Sequence, residues 1–337
     1  TKVIIVSTPN GFNLFYKFWN DAVNGNNSFV PFKVHWSNVP GRDEEWHKKI
    51  VSTIGEDSFR QEYEADFLGS SNTLICTEKL EELSYNDPLF SRDGLDVFEE
   101  PKRENTYTIT VDVARGQGKD YSAFSVFDVT QIPYKQVAKY RNNLVAPLLF
   151  PNIINIIGKR YNYAYILVEI NDIGSQVADV LHHDLEYEHL YSSSWYGRHG
   201  QQLSSGAKKD STFGVRTTKS IKKLGCSNLK SLVEENKLLI TDYDTIAELT
   251  TFVSIAESFA ADDGSHDDLA ITLVLFAWLV DQQFFKDLSN LNIRENLYQN
   301  QLQNIDDLTT PFGYINNGLD QDRFEVDSEG TVWETIK

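Results

Sequence analysis

Two acids of this chain stand inside apolar runs, where an isolated carboxylate is costly. Asp112 lies in Thr108-Ile-Thr-Val-Asp112-Val113 and Glu169 in Ile166-Leu-Val-Glu169-Ile170, both with the character of strands. A carboxylate there gives up its hydration unless donors or a cation meet it. Asp267 and Asp268 open the longest apolar run of the chain, Leu269 to Val280, which has the character of a buried helix. At such a start, unsatisfied N–H groups and the helix dipole favour anions. Two strand acids and one at a helix N-terminus could converge at the edge of a sheet. Carboxylate oxygens without clustered Cys or His are hard ligands that suit Mg²⁺ or Mn²⁺ better than Zn²⁺. Two such ions roughly 4 Å apart activate water and stabilise the leaving oxygen of a phosphodiester. Asp112, Glu169 and Asp268 are therefore candidate catalytic and metal-binding acids, with Asp120 and Asp267 as further candidate ligands. Each has a plainer alternative. A strand acid can be an ion-pair partner, Asp120 a turn residue, and Asp267-Asp268 an N-cap followed by a first-turn acid. Their joint occurrence in this order favours the metal site.

The elements that must position these acids follow from periodicity. Tyr107–Val113 and Tyr121–Val129 are β-rich runs joined by a Gly-rich turn, and Tyr134–Arg141 is a third strand. Phe150–Tyr161 has helical spacing, and the continuous apolar run Ala164–Ile170 predicts a strand buried on both faces. Gly174–Tyr187, Ser220–Lys237 and Asp267–Phe285 follow as helices. Three strands in meander, then alternating helix and strand, predict an α/β domain with a mixed sheet. Upstream, Lys2–Val6 and Phe29–Trp36 read as strands, and Asn13–Val23, Trp46–Ile54 and Ser58–Phe67 as helices. Residues 84–105 are polar and suit a junction between domains, and the last fifty residues lack periodicity. Gly116-Gln-Gly118-Lys119-Asp120 is too short for a phosphate-binding loop and lacks its Ser/Thr, so it reads as a hairpin turn.

The 337 residues carry 49 acidic and 31 basic side chains, a formal charge of −18, which at first disfavours a nucleic-acid partner. The distribution matters more. Between Arg198 and Lys230 there are eight Lys/Arg and one Asp, whereas Asp287–Lys337 holds ten acids and three bases. Lys208, Lys209, Arg216, Lys219, Lys222 and Lys223 are thus candidate contacts to a DNA backbone; the plainer alternative is a solvated helix face. Hydrophobic residues at 41 % allow a substantial core. The longest apolar run falls short of the roughly 20 residues of a membrane span. Two widely separated cysteines, Cys76 and Cys226, and no secretory leader are expected of a reducing compartment. Methionine is absent, and the strand-like start at Thr1 suggests a piece of a longer protein.

Taken together, Thr110-Val-Asp112-Val113, Val168-Glu169-Ile-Asn171 and His266-Asp267-Asp268-Leu-Ala270 resemble the C-terminal nuclease domain of the large terminases of tailed phages, closest to the T4-like group. Ile5-Val-Ser7-Thr8-Pro9-Asn10-Gly11 resembles the motif after the Walker B strand of those proteins, which implies an ATPase-coupling role for Ser7, Thr8 and Pro9. Phe59-Arg-Gln-Glu62-Tyr-Glu-Ala-Asp-Phe67 is similar to the segment that closes their ATPase domain. The similarity extends over roughly residues 1 to 285. It implies a ribonuclease H-like mixed sheet flanked by helices, preceded by a partial α/β ATPase lobe. It also implies a packaging endonuclease of little sequence specificity, with Asp112, Glu169 and Asp268 matching the catalytic acids. The implied partners are double-stranded DNA, a portal ring and a small terminase subunit, with no membrane, in the host cytoplasm. The P-loop and catalytic glutamate of such an ATPase are not in this sequence, so ATP is expected only together with residues upstream of Thr1. The expected organisation is 1–75 as the end of an ATPase domain, 76–105 as linker, 106–286 as nuclease and 287–337 as acidic tail. Two rivals stand beside it. A resolvase or exonuclease of the same fold would not explain Ser7–Gly11, and a non-catalytic portal-docking module would make the acids structural.

Overall fold

Strand β3 (Tyr107–Asp112) organises the molecule. In this computed structural model, which describes residues 2–9, 14–23, 25–67, 72–118, 120–195, 201–204, 211–255, 258–262, 264–287, 324–326 and 332–334, β3 lies inside the main sheet. It pairs antiparallel with β4 (Ser122–Asp128), which pairs antiparallel with β5 (Tyr134–Asn142). On its other side it pairs in parallel with β6 (Tyr165–Val168). The hairpin of β1 (Phe90–Arg92) and β2 (Leu95–Val97) extends the sheet beyond β5, giving the order β1-β2-β5-β4-β3-β6. These two strands and helix α4 (Thr77–Glu82) fall within the stretch 76–105. A short strand at Leu238–Leu239 adds in parallel to β5. The expected meander followed by an α/β alternation is therefore present, and the sheet is mixed.

Both faces of the sheet are covered, which explains why its strands read as near-continuous apolar runs. Ile109 and Val111 of β3, with Phe124 and Val126 of β4, pack with Phe150, Ile154 and Ile157 of α5 (Phe150–Arg160) and Val177 of α6 (Gly174–Asp179). Helix α6 passes into a π-turn over Val180–Asp184 rather than running on to Tyr187. The opposite layer is built from α7 (Lys219–Glu234), α8 (Tyr243–Thr250) and α9 (Asp268–Asp281). Helix α9 is buried from Asp268 to Leu279, and apart from Asp268 and Thr272 that stretch is apolar on every side. Its contact with the sheet is partly polar: Thr110 Oγ1 donates to the Thr272 carbonyl at 2.8 Å, and the Ser125 and Thr272 hydroxyls lie 2.8 Å apart.

Upstream, α1 (Leu14–Val23) and α2 (Glu44–Ile54) form as expected, and the short helix α3 (Glu56–Phe59) is followed by a π-turn over Arg60–Glu64. Phe67 stacks against Phe15 and edge-on against Tyr16, while Trp36, Trp46 and Phe59 form a second aromatic cluster. Lys2–Val6 and Phe29–Trp36 depart from expectation. Neither is a strand, Trp36–Asn38 is a 3₁₀ turn, and Ile4, Val6, Val30 and Phe32 stand more than four-fifths exposed. An apolar run becomes a strand only where a neighbour accepts its backbone hydrogen bonds, and none among the described residues pairs with these. In the unit of residues 293–337, the antiparallel pair Phe324–Val326 and Val332–Glu334 is described.

Candidate active site

The alternation of β3 decides where Asp112 points. Tyr107, Ile109 and Val111 face α5, so Thr108, Thr110 and Asp112 face α9. Thr110 touches Thr272, and one helical turn before Thr272 on the same side of α9 stands Asp268. The parallel register of β3 and β6 pairs Val111 with Val168, and the Glu169 N–H donates to the Val111 carbonyl at 2.9 Å. The next step of both strands therefore sets Glu169 beside Asp112. The two carboxyls are within hydrogen-bonding reach, and the charges of Asp268 and Asp267 also reach Asp112. Burial, then the charge and hydrogen bond of Glu169, hold the Asp112 carboxyl well above the usual carboxylate range.

Each acid is held by identifiable groups. Asn171 Nδ2 donates to Glu169 Oε1 at 3.0 Å and to the Thr217 carbonyl at 3.1 Å. Gly174 lets α6 start directly against the Glu169 backbone, since a Cβ there would stand 1.8 Å from the Glu169 carbonyl oxygen. Asp268 is 7 % exposed; its Oδ1 accepts from the Tyr121 N–H at 3.1 Å, and its Oδ2 has no hydrogen-bond partner. Burial raises the Asp268 carboxyl too, against the pull of the Tyr121 amide, Arg141 and His266.

Asp112 and Asp268 open into a cleft of about 350 Å³ that Asp120, His266 and Asp267 also line, whereas Glu169 stands behind Asp112 and is not part of its lining. Asp120 is exposed at its rim. At the mouth Arg115 and Asp172 form a bidentate pair, with Nε and Nη2 at 2.6 and 2.7 Å from the carboxylate oxygens. A buried carboxylate oxygen without a donor, and two carboxyls that repel one another within reach of its charge, are hard oxygens short of a cation. The residues fit a divalent ion.

A second acidic group has a different character. Asp96, Asp242 and Asp244 bring ligand atoms within 4.8 Å of one another, but the Lys139 ammonium sits among them, 3.1 Å from Asp96, 3.6 Å from Asp242 and hydrogen-bonded to Asp244. That cluster already holds its cation.

Residues 109–276 match the family model described as the terminase RNaseH-like domain. The matched stretch contains all the candidate acids. The large terminase subunit of Thermus virus P23-45 is 25 % identical over 299 residues, covering 81 % of this chain and 54 % of that protein. The large subunit of Thermus phage G20c is 25 % identical over 298 residues, with the same coverages. The chain spans about half the length of these relatives. Among solved structures, the large terminase nuclease of phage G20c with bound magnesium is 21 % identical at a TM-score of 0.48, covering 62 % of this chain and 97 % of that one. Both of these relatives come from Thermus viruses, and the closer likeness to the T4-like group is not borne out.

Around the acids, the basic residues divide. Lys219 and Lys223 are exposed on the first turns of α7, and Arg216 is exposed just before it. Lys222 is half-buried, its Nζ 3.8 Å from Asp267 Oδ2 and over the Phe252 ring, so it leans toward the acids. Lys208 and Lys209 lie outside the described residues. Upstream, the two motif segments meet: Gln61 Nε2 donates to the Pro9 carbonyl at 2.6 Å, and the Ser7 hydroxyl donates to the Thr8 carbonyl at 2.8 Å. The sequence reading missed Asn171, Tyr121, Arg141 and Glu248. Asn171 stands two residues past Glu169 and had a local signal; the other three reach the site only through the tertiary fold.

Proposed function

We propose that this chain is the nuclease part of a viral DNA-packaging terminase and cuts double-stranded concatemeric DNA, with little sequence preference, using a divalent metal. The observation that carries this is the meeting of Asp112, Glu169 and Asp268 on one face, with the buried Asp268 Oδ2 left without a donor. These three would hold the ion, with Asp267 and Asp120 at the rim of the same cleft. When bound, Mg²⁺ or Mn²⁺ supplies Lewis-acid activation of water and neutralises charge developing at the phosphodiester. The chain's own part is positional. Asn171 fixes the Glu169 carboxylate, the Tyr121 amide fixes Asp268, and the lysines at the start of α7 flank the acids on the side where Lys222 reaches Asp267. Lys208, Lys209, Arg216, Lys219, Lys222 and Lys223 contact the DNA backbone in this reading.

The wider role rests on the same reading. Residues 1–75 end an ATPase domain, with Ser7, Thr8 and Pro9 coupling hydrolysis to movement once the upstream ATP-binding residues are present. Residues 76–105 connect it to a nuclease at 106–286, and 287–337 form an acidic tail. A portal ring and a small terminase subunit are its partners in the host cytoplasm, and no described helix is long and apolar enough to cross a membrane. The test is metal-dependent cleavage of supercoiled plasmid by the purified chain. Nicking with Mg²⁺ or Mn²⁺ that EDTA abolishes is expected. Absence of both cleavage and Mn²⁺ binding would instead favour a docking module whose acids are structural.

A further inference from the structure

Helix α9 is capped by a residue of another helix. Asp267 occupies its N-cap position, yet the Asp267 side chain makes no capping hydrogen bond. Asp242 behaves differently at α8, and Asp43 at α2, where each carboxylate accepts from the N–H three residues on. At α9 that duty falls to Glu248 of α8. Its Oε2 accepts from the Leu269 N–H at 2.7 Å and the Ala270 N–H at 2.9 Å, and the side chain is almost wholly buried. Its Oε1 lies 3.1 Å from Arg141 Nη2. The Arg141 guanidinium in turn lies 4.0 Å from the centre of the Tyr121 ring, and the Tyr121 N–H donates to Asp268.

The consequence concerns which acids are free. The orphan N–H groups of a first turn take a side-chain acceptor, and the N-cap Asp is the usual one. Were Asp267 to serve, its carboxylate would fold back over Leu269 and Ala270, away from the cleft it now lines. An acceptor from outside satisfies those N–H groups and leaves the carboxylates of both Asp267 and Asp268 facing the cleft. We propose that Glu248, held by Arg141, is a positioning residue that caps α9 in place of Asp267 and thereby frees the Asp267-Asp268 pair for the metal. This rests on the metal-site reading above. Glu248 touches no reacting atom.

The test is calorimetric titration of the metal-free chain with Mn²⁺, comparing parent, Glu248→Gln and Glu248→Ala. A carboxamide oxygen can still accept both N–H groups while its NH2 meets Arg141 in place of Oε1, so E248Q should lose less affinity than E248A, which should bind at least about 10-fold more weakly than the parent, the range seen when a ligand's support is removed. If E248Q and E248A lose affinity equally, Glu248 acts through its charge alone and the proposal falls. It falls also if neither loses affinity. A parent that takes up no Mn²⁺ overturns the metal-site reading itself, and this inference with it. Should E248A fail to fold, Asp267→Ala decides. Its melting midpoint should match the parent's, whereas a drop of roughly 2–4 °C, the cost of a missing N-cap, would show that Asp267 is the cap after all.

Discussion

Replacing Gly174 by Ala, a residue with no chemistry of its own, should disable the proposed nuclease activity. On helix propensity alone the change is favourable, since Ala stabilises a helix over Gly by about 1 kcal/mol. Geometry outweighs that gain. The added Cβ would lie 1.8 Å from the Glu169 carbonyl oxygen and 2.9 Å from its carbon, and both backbones must part by roughly 1.2 Å to reach even 3.0 Å. Neither side of this contact is a flexible side-chain end: one is the strand end that carries Glu169, the other the first residue of a helix whose Val177 and Ala178 are packed into the core. Forced overpacking of this kind costs typically 1–3 kcal/mol. The larger effect is on position, because an ångström of misplacement in a reacting constellation costs on the order of 100-fold in rate. Plasmid nicking at saturating Mn²⁺ and DNA should therefore show kcat down by about 100-fold with KM little changed, and a circular dichroism spectrum like the parent's. A variant that melts earlier but keeps kcat within about 3-fold would mean that α6 yields and Glu169 does not, refuting the reasoning.

Asp112→Asn, Glu169→Gln and Asp268→Asn should each reduce cleavage to background in the same assay while leaving the fold intact; full activity in any one removes that residue from the site. Asp112→Asn should also stabilise the metal-free protein. With its pKa raised on folding, Asp112 lowers stability as pH rises from its ordinary 3.8 through the raised value, and the loss persists above it. In EDTA the variant should therefore melt above the parent at pH 8, with the gap shrinking toward pH 4; an equal or lower midpoint at pH 8 counts against the burial and repulsion inferred here. Asn171→Ala frees Glu169 Oε1 from its donor and should lower kcat by a smaller factor than Glu169→Gln, a relation checked in one set of initial rates. Neutralising Lys208, Lys209, Lys219, Lys222 and Lys223 together should shrink the slope of log K against log salt by up to about 0.9 for each DNA phosphate that no longer meets a cation. An unchanged slope would make this stretch a solvated surface.

How far the site was legible in the sequence depends on the reach of each interaction. Asp112 and Glu169 announce themselves because an acid inside an apolar strand is locally anomalous, and the period of two in Thr108, Thr110 and Asp112 already puts all three on one face. The meander and the buried helix α9 were legible for the same reason: their signals lie within a dozen residues. Lys2–Val6 and Phe29–Trp36 show the limit of that logic. Their residues are as β-prone as those of β3, yet β3 finds partners on both sides and they find none among the described residues, so identical propensity ends in different structure. The N-terminus of α9 shows it more sharply. Asp267 before an apolar helix matches every local rule for an N-cap, and α8 begins with an Asp that obeys the rule. What separates them is Glu248, nineteen positions before Asp267 and placed by the turn from α8 through the Phe252–Ile255 and Ser258–Ala261 hairpin. No window on either side of Asp267 contains that information. Which acid caps the first turn of α9 is decided by tertiary contact, and in the reading proposed above the acid so spared is available to the metal.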